Sequence, residues 1–172
     1  YQNHVVRGTP VTRDLARREL SGNLCRCTGY RPILAAAQKM ADLPPTAVDE
    51  AEVLRLLASL EGPASPDAAY QAPRTLPELL AARAARPQAQ LVAGCTDVGQ
   101  WVTKQHRQFA QVLDVTRVDA LRRIDHQGGR LRIGAAATLT EAYDALVAQR
   151  PVLADFAERF AGLPVRNSGT LG

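Results

Sequence analysis

What this chain has little of narrows its function before any motif is considered. No run of eighteen apolar residues occurs, so a membrane-spanning helix is not expected. Only two lysines are present, Lys39 and Lys104, and the other basic residues are arginines scattered along the chain. Aromatic residues make up 5%. A nucleic-acid surface would cluster its cations and interleave aromatics, so the net charge of +4 reads as solvated helix faces, and no nucleic-acid partner is expected. Three cysteines are too few for a disulfide scaffold, and one-residue spacing strains any bridge between Cys25 and Cys27. A reducing cytoplasm is the simpler setting. No Gly-x-Gly-x-x-Gly is present, and Gln100-Trp101 stand where a P-loop needs Lys-Ser/Thr, so neither nucleotide fingerprint applies. His4, His106 and His126 lie apart, with no metal-like spacing. The carboxylates form no evident acid–base pair, and no catalytic residue is assigned.

The composition is otherwise globular, with 46% hydrophobic and 22% charged residues over 172 positions. Tyr1-Gln2-Asn3-His4 reads as the middle of a protein and Ser168–Gly172 as an interrupted turn, so a longer protein is expected. A helix is expected from Thr12, as N-cap, to Leu20, with Gly22 closing it. A second starts near Pro32 and offers Ala35, Ala36 and Ala37 as a face for close helix approach. Between them lies Gly22-Asn23-Leu24-Cys25-Arg26-Cys27-Thr28-Gly29. Asp49 to Leu60 carries Val53, Leu56, Leu57 and Leu60 at helical spacing. Residues 61–73, rich in Pro, Ala, Gly and Ser, read as a linker.

A mixed pattern follows. Thr75-Leu76-Pro77-Glu78 and Thr138-Leu139-Thr140-Glu141 match capping boxes and open helices to about Arg86 and Ala148. Gln90 to Ala93 and Val112 to Val115 read as strands, and Val98 to Gln105 as a helix that carries Trp101 in the core. Leu121 to Asp125 and Arg130 to Ala135 read as a hairpin around Gln127-Gly128-Gly129. Pro151 to Gly162 is expected as one helix, and Pro164 to Gly172 as a polar, glycine-bearing turn. The expected fold is α+β in two partial domains: residues 1–45, a linker with one helix over 46–72, and 73–172.

Three segments carry chemistry. Cys25 and Cys27 can aim two thiolates at one metal, but zinc and [2Fe–2S] sites take four ligands. On spacing alone, two small buried hydrophobes serve a helix hairpin as well. Leu91-Val92-Ala93-Gly94-Cys95-Thr96-Asp97-Val98 is a strand entering a glycine turn, whose backbone N–H groups can cradle phosphate or simply join strand to helix. Phe160-Ala161-Gly162-Leu163-Pro164-Val165-Arg166-Asn167-Ser168-Gly169-Thr170-Leu171-Gly172 reads as a helix end and a loop. Two glycine turns some seventy residues apart suit a dinucleotide, each serving part of a diphosphate.

The flanks of these segments resemble the xanthine dehydrogenase and aldehyde oxidase family of molybdenum hydroxylases. GNLCRCTGYRPI is similar to the second cysteine pair of that family's helical [2Fe–2S] domain, which an upstream Cys-Gly-x-Cys pair completes. The resemblance implies Cys25 and Cys27 as cluster ligands, with Arg26, Thr28 and Gly29 shaping the loop. Leu91 to Val98 is similar to a flavin motif, Val-x-Gly-Gly-Thr, that contacts the FAD diphosphate. Cys95 departs from the commoner glycine there, and its Cβ needs a backbone that L-residues adopt, or local strain. The third segment is similar to the second flavin motif, Arg-Asn-x-Gly-Thr-x-Gly-Gly-Asn. It implies that Thr170, Leu171 and Gly172 contact FAD phosphate, that Asn167 to Gly169 shape the turn, and that Phe160 lies near the flavin. On this resemblance residues 1–45 are the end of the [2Fe–2S] domain and 73–172 the start of an FAD domain of the vanillyl-alcohol-oxidase-like type. The implied role is electron relay in xanthine dehydrogenase, from a molybdenum cofactor on a large partner subunit to FAD and then NAD. Alternatives are an aldehyde-oxidase-type subunit, or a non-catalytic interaction module with structural or zinc-binding cysteines.

Overall fold

The computed structural model describes residues 2–27, 29–60 and 69–172. Thr28 and residues 61–68, at the heart of the expected linker, lie outside the described residues. The chain forms two compact units, Tyr1–Ser65 and Pro66–Gly172.

The first unit is helical. After a π-type turn at Gln2–Val6 come α1 (Arg13–Glu19), α2 (Tyr30–Lys39) and α3 (Glu50–Ser59). Thr12 caps α1 by accepting the N–H of Leu15 at 3.1 Å, and Asp49 caps α3 by accepting that of Glu52 at 3.0 Å. Leu20, not Gly22, closes α1. Leu20, Ile33 and Leu34 line one hollow of the α1–α2 hairpin, and Leu15, Ala37 and Met40 line another. Of the expected alanine face only Ala37 turns inward; Ala35 and Ala36 are exposed, because the larger Ile33 and Leu34 claim the contact stripe.

The second unit holds a three-stranded parallel sheet in the order β1-β3-β2, with β1 at Tyr70–Gln71, β2 at Gln90–Val92 and β3 at Val112–Asp114. Tyr70 pairs with Val112, and Leu91 with Leu113. α4 (Leu76–Ala85) connects β1 to β2 and α5 (Val98–Gln105) connects β2 to β3. Leu79, Ala89, Leu113 and Val118 form the core, with Leu113 1% exposed. Both capping boxes form as read from sequence, at Thr75/Glu78 and Thr138/Glu141. β4 (Ile124–Gln127) and β5 (Arg130–Ile133) pair antiparallel around Gly128 and Gly129, whose φ of 55° and 71° suit the tight two-residue turn.

Four expectations change in this unit. Residues 119–122 form the short helix α6 (Asp119–Arg122), so the hairpin strand starts only at Ile124. The helix expected from Pro151 to Gly162 is a 3-10 turn at Pro151–Leu153 followed by α8 (Ala154–Arg159), while α7 spans Leu139–Gln149. Pro164 does not mark a turn: it sits in the first turn of α9 (Leu163–Ser168), where its missing N–H costs nothing. Tyr70–Gln71, expected within the linker, is a strand of the sheet.

Candidate functional site

The cysteine loop joins α1 to α2. Cys25 is half-buried and Cys27 exposed. The Cys27 N–H donates to Cys25 Sγ at 3.4 Å. Gly29 precedes α2 at φ 71°, a conformation that glycine adopts without strain. Arg26 is exposed beside the pair. Among the described residues no group of three or more His, Cys, Asp or Glu is placed to hold a metal. The chemistry of the two thiols fits one half of a thiolate-bound cluster.

The two glycine segments come together. A Cβ on Gly94 would lie 1.6 Å from the Ser168 carbonyl oxygen and 2.9 Å from Gly169 Cα, so only glycine lets these backbones meet. A Cβ on Gly169 would in turn approach Thr96 Oγ1 at 3.2 Å. Residues Gly169 to Gly172 run antiparallel beside Ala135 to Thr138. Leu139 N–H donates to Gly169 O (2.8 Å), Leu171 N–H to Ala137 O (3.1 Å) and Gly172 N–H to Ala135 O (3.0 Å). The Thr140 hydroxyl donates to Asn167 Oδ1 at 2.6 Å. Thr138 and Thr140, legible in sequence only as the start of a helix, thus also staple the second segment in place. No local signal marks that pairing.

At the first segment, α5 starts without a side-chain cap. Among the described residues the N–H groups of Thr96, Asp97 and Val98 find no acceptor. Uncapped donors at a helix N-terminus, beside a second glycine turn, suit an anionic ligand such as a diphosphate. Cys95 has φ 57°, so the strained alternative holds at this position. Its thiol is pushed up in pKa by burial and then by the charge of Asp114. Asp114 ends β3, accepts the Tyr70 hydroxyl at 2.5 Å and the Thr116 N–H at 2.8 Å, and so ties β1 to β3 at the carboxyl edge of the sheet. That edge is where open parallel sheets bind ligands.

Phe160 follows α8 and packs edge-on against Tyr143 at 5.6 Å. Trp101 is half-buried under the Arg107 guanidinium, 5.1 Å from its ring centre. His126 shares a hydrogen bond with Gln149, and His106 caps α5 in the left-handed region.

A helical hairpin with paired cysteines, followed by a mixed unit with two apposed glycine turns, has the layout of an iron–sulfur flavoprotein. Comparison with known proteins sharpens this. Residues 64–172 match the family of the FAD binding domain in molybdopterin dehydrogenase, and residues 2–38 match the [2Fe-2S] binding domain. The chain therefore belongs to the molybdenum hydroxylase family of xanthine dehydrogenases and aldehyde oxidases, and its cofactors are a [2Fe–2S] cluster and FAD. It is 30% identical to xanthine dehydrogenase of Drosophila subobscura over 95% of its length and 16% of that protein's. It is 34% identical to the xanthine dehydrogenase FAD-binding subunit of Escherichia coli O157:H7, over 61% of this chain and 37% of that subunit. Among solved structures, quinoline 2-oxidoreductase from Pseudomonas putida 86 matches with a TM-score of 0.55 and 27% identity, over 66% of this chain and 39% of its own. The chain thus spans well under half the length of each of these relatives.

Proposed function

We propose that this chain is part of the electron-transfer arm of a xanthine dehydrogenase that hydroxylates a purine at a molybdenum cofactor on a large partner subunit in the cytoplasm. When bound, the [2Fe–2S] cluster and FAD would carry single electrons and electron pairs respectively, with NAD as the final acceptor. Cys25 and Cys27 would supply two of four thiolates to the cluster. The N–H groups at Thr96 to Val98 would donate to the FAD diphosphate, flanked by Leu91 to Cys95 on one side and by Thr170, Leu171 and Gly172 on the other. Phe160 would lie near the flavin.

The observation that carries the flavin part is the contact of Gly94 with Ser168 and Gly169, which joins the two glycine segments into one surface. A related reading, an aldehyde-oxidase-type subunit, draws on aldehyde oxidase 2 of Cavia porcellus, 30% identical over 89% of this chain and 16% of that protein. The full-length protein with its partner separates the two. Reduction of NAD with xanthine, and little turnover of aldehydes, is the expected result; the reverse preference would replace the purine reading.

A further inference from the structure

Among the described residues, three other than glycine have positive φ: Cys95 at 57°, His106 at 54° and Ala161 at 51°. His106 is a helix cap, where this is ordinary. The other two fall inside the two flavin segments. Ala161 directly follows Phe160, so a disfavoured backbone conformation stands next to that aromatic residue. Such conformations persist where surrounding contacts over-determine them. Here the Arg166 guanidinium donates to the carbonyl of Ala157, a buried residue one turn before Ala161. From the other side, three rings close a triangle. Tyr143 and Phe156 lie 5.9 Å apart at 85°, Tyr143 and Phe160 5.6 Å apart at 66°, and Phe156 and Phe160 6.0 Å apart at 39°. Phe160 stays 41% exposed, so part of its ring is held and part is open. Among the described residues the Tyr143 hydroxyl makes no hydrogen bond, so its ring does the holding.

We infer that Tyr143 and Phe156 are positioning residues that fix the angle of the Phe160 ring before FAD arrives. This rests on the reading of Phe160 as flavin-facing. An aromatic platform that is already oriented loses less side-chain freedom when a ring system stacks on it, and binds more tightly for that reason. Edge-to-face ring pairs have energies that correspond to about 2- to 12-fold in affinity.

The test uses full-length protein stripped of FAD and titrated with FAD, with the visible circular dichroism of the bound flavin as a second readout. Phe160→Leu is expected to weaken binding and change the flavin dichroism. Tyr143→Leu should weaken binding about 2- to 12-fold, and Tyr143→Phe, which keeps the ring, should bind as the parent does. In a Phe160→Leu background, Tyr143→Leu should add nothing, since its effect runs through Phe160. Phe156→Leu, at a 58% exposed position, is a second probe should Tyr143→Leu fail to fold. If Phe160→Leu matters but the Tyr143 and Phe156 variants are silent, or add to it independently, the positioning role is wrong and the flavin site stands. If Phe160→Leu is itself without effect, the flavin-facing reading falls, and the positioning role with it.

Discussion

The two units handle their apolar residues in opposite ways. In Pro66–Gly172, Leu113 and Val118 are fully enclosed, with Leu79 and Ala89 buried in the same cluster, and Ala136, Ala137 and Ala142 are buried as well. In Tyr1–Ser65, Ala16 is the one buried hydrophobic residue among those described, while Leu24, Leu43, Leu54 and Leu60 stand mostly exposed. No residue of α2 or α3 is buried. A helical hairpin of this size with so little core needs staples, and a bound metal centre is one of them. The flavin unit has a core of its own, so its turns can be shaped before a ligand arrives. On the proposed reading, the first unit would be organised around its cluster, while the second would be built to receive FAD.

The sharpest way to break this contrast is Cys25→Ser in the full-length protein. The cluster absorption and the matching iron should disappear, while FAD affinity stays within about twofold, because the flavin unit does not depend on the hairpin's core. An intact cluster spectrum in that variant would sink the ligand assignment. Gly94→Ala should act on the other unit. Its new methyl must displace the Ser168 carbonyl, so FAD affinity should fall more than about tenfold with the cluster retained. Leu113→Ala should lower the stability of the flavin unit by about 2–5 kcal/mol, read from denaturant unfolding. A comparable loss for Leu57→Ala, on exposed α3, would contradict the difference in cores.

Smaller effects sharpen the picture. Thr138→Ala removes the hydroxyl that accepts from the Glu141 N–H and should cost about 1 kcal/mol. Glu141 itself is held below the ordinary glutamate range by hydrogen bonds from the Thr138 backbone and then its side chain. A carboxylate depressed in the folded state stabilises above its unfolded pKa and loses that contribution as pH falls through the folded one. Glu141→Gln should therefore lower stability at neutral pH, leave strongly acid pH little changed, and so flatten the acid side of the unfolding profile. The smallest expected effect is a gain. Cys95→Gly should relieve the positive φ and add up to about 1 kcal/mol in thermal or denaturant unfolding.

What was legible in the sequence was local. Both capping boxes are four-residue signals, and both form. The Gly128-Gly129 turn and the helix after Asp97 follow from neighbours in the chain. The cysteine and glycine segments were visible as motifs, and the family match covers them. What was not legible depends on partners far away. β1 is two residues long and exists because Tyr70 pairs with Val112. α9 was hidden by Pro164, which reads as a breaker unless it falls in a first turn. The approach of Gly94 to Ser168 joins positions 74 residues apart. Nothing in either segment alone says that the two touch.

That contact is the centre of the account, and amide hydrogen exchange of the full-length protein with and without FAD tests it directly. FAD should slow exchange at Thr96, Asp97 and Val98 together with Thr170, Leu171 and Gly172, with one shared dependence on FAD concentration. Protection of one segment without the other, or of neither while FAD binds, would contradict a single flavin site built from both.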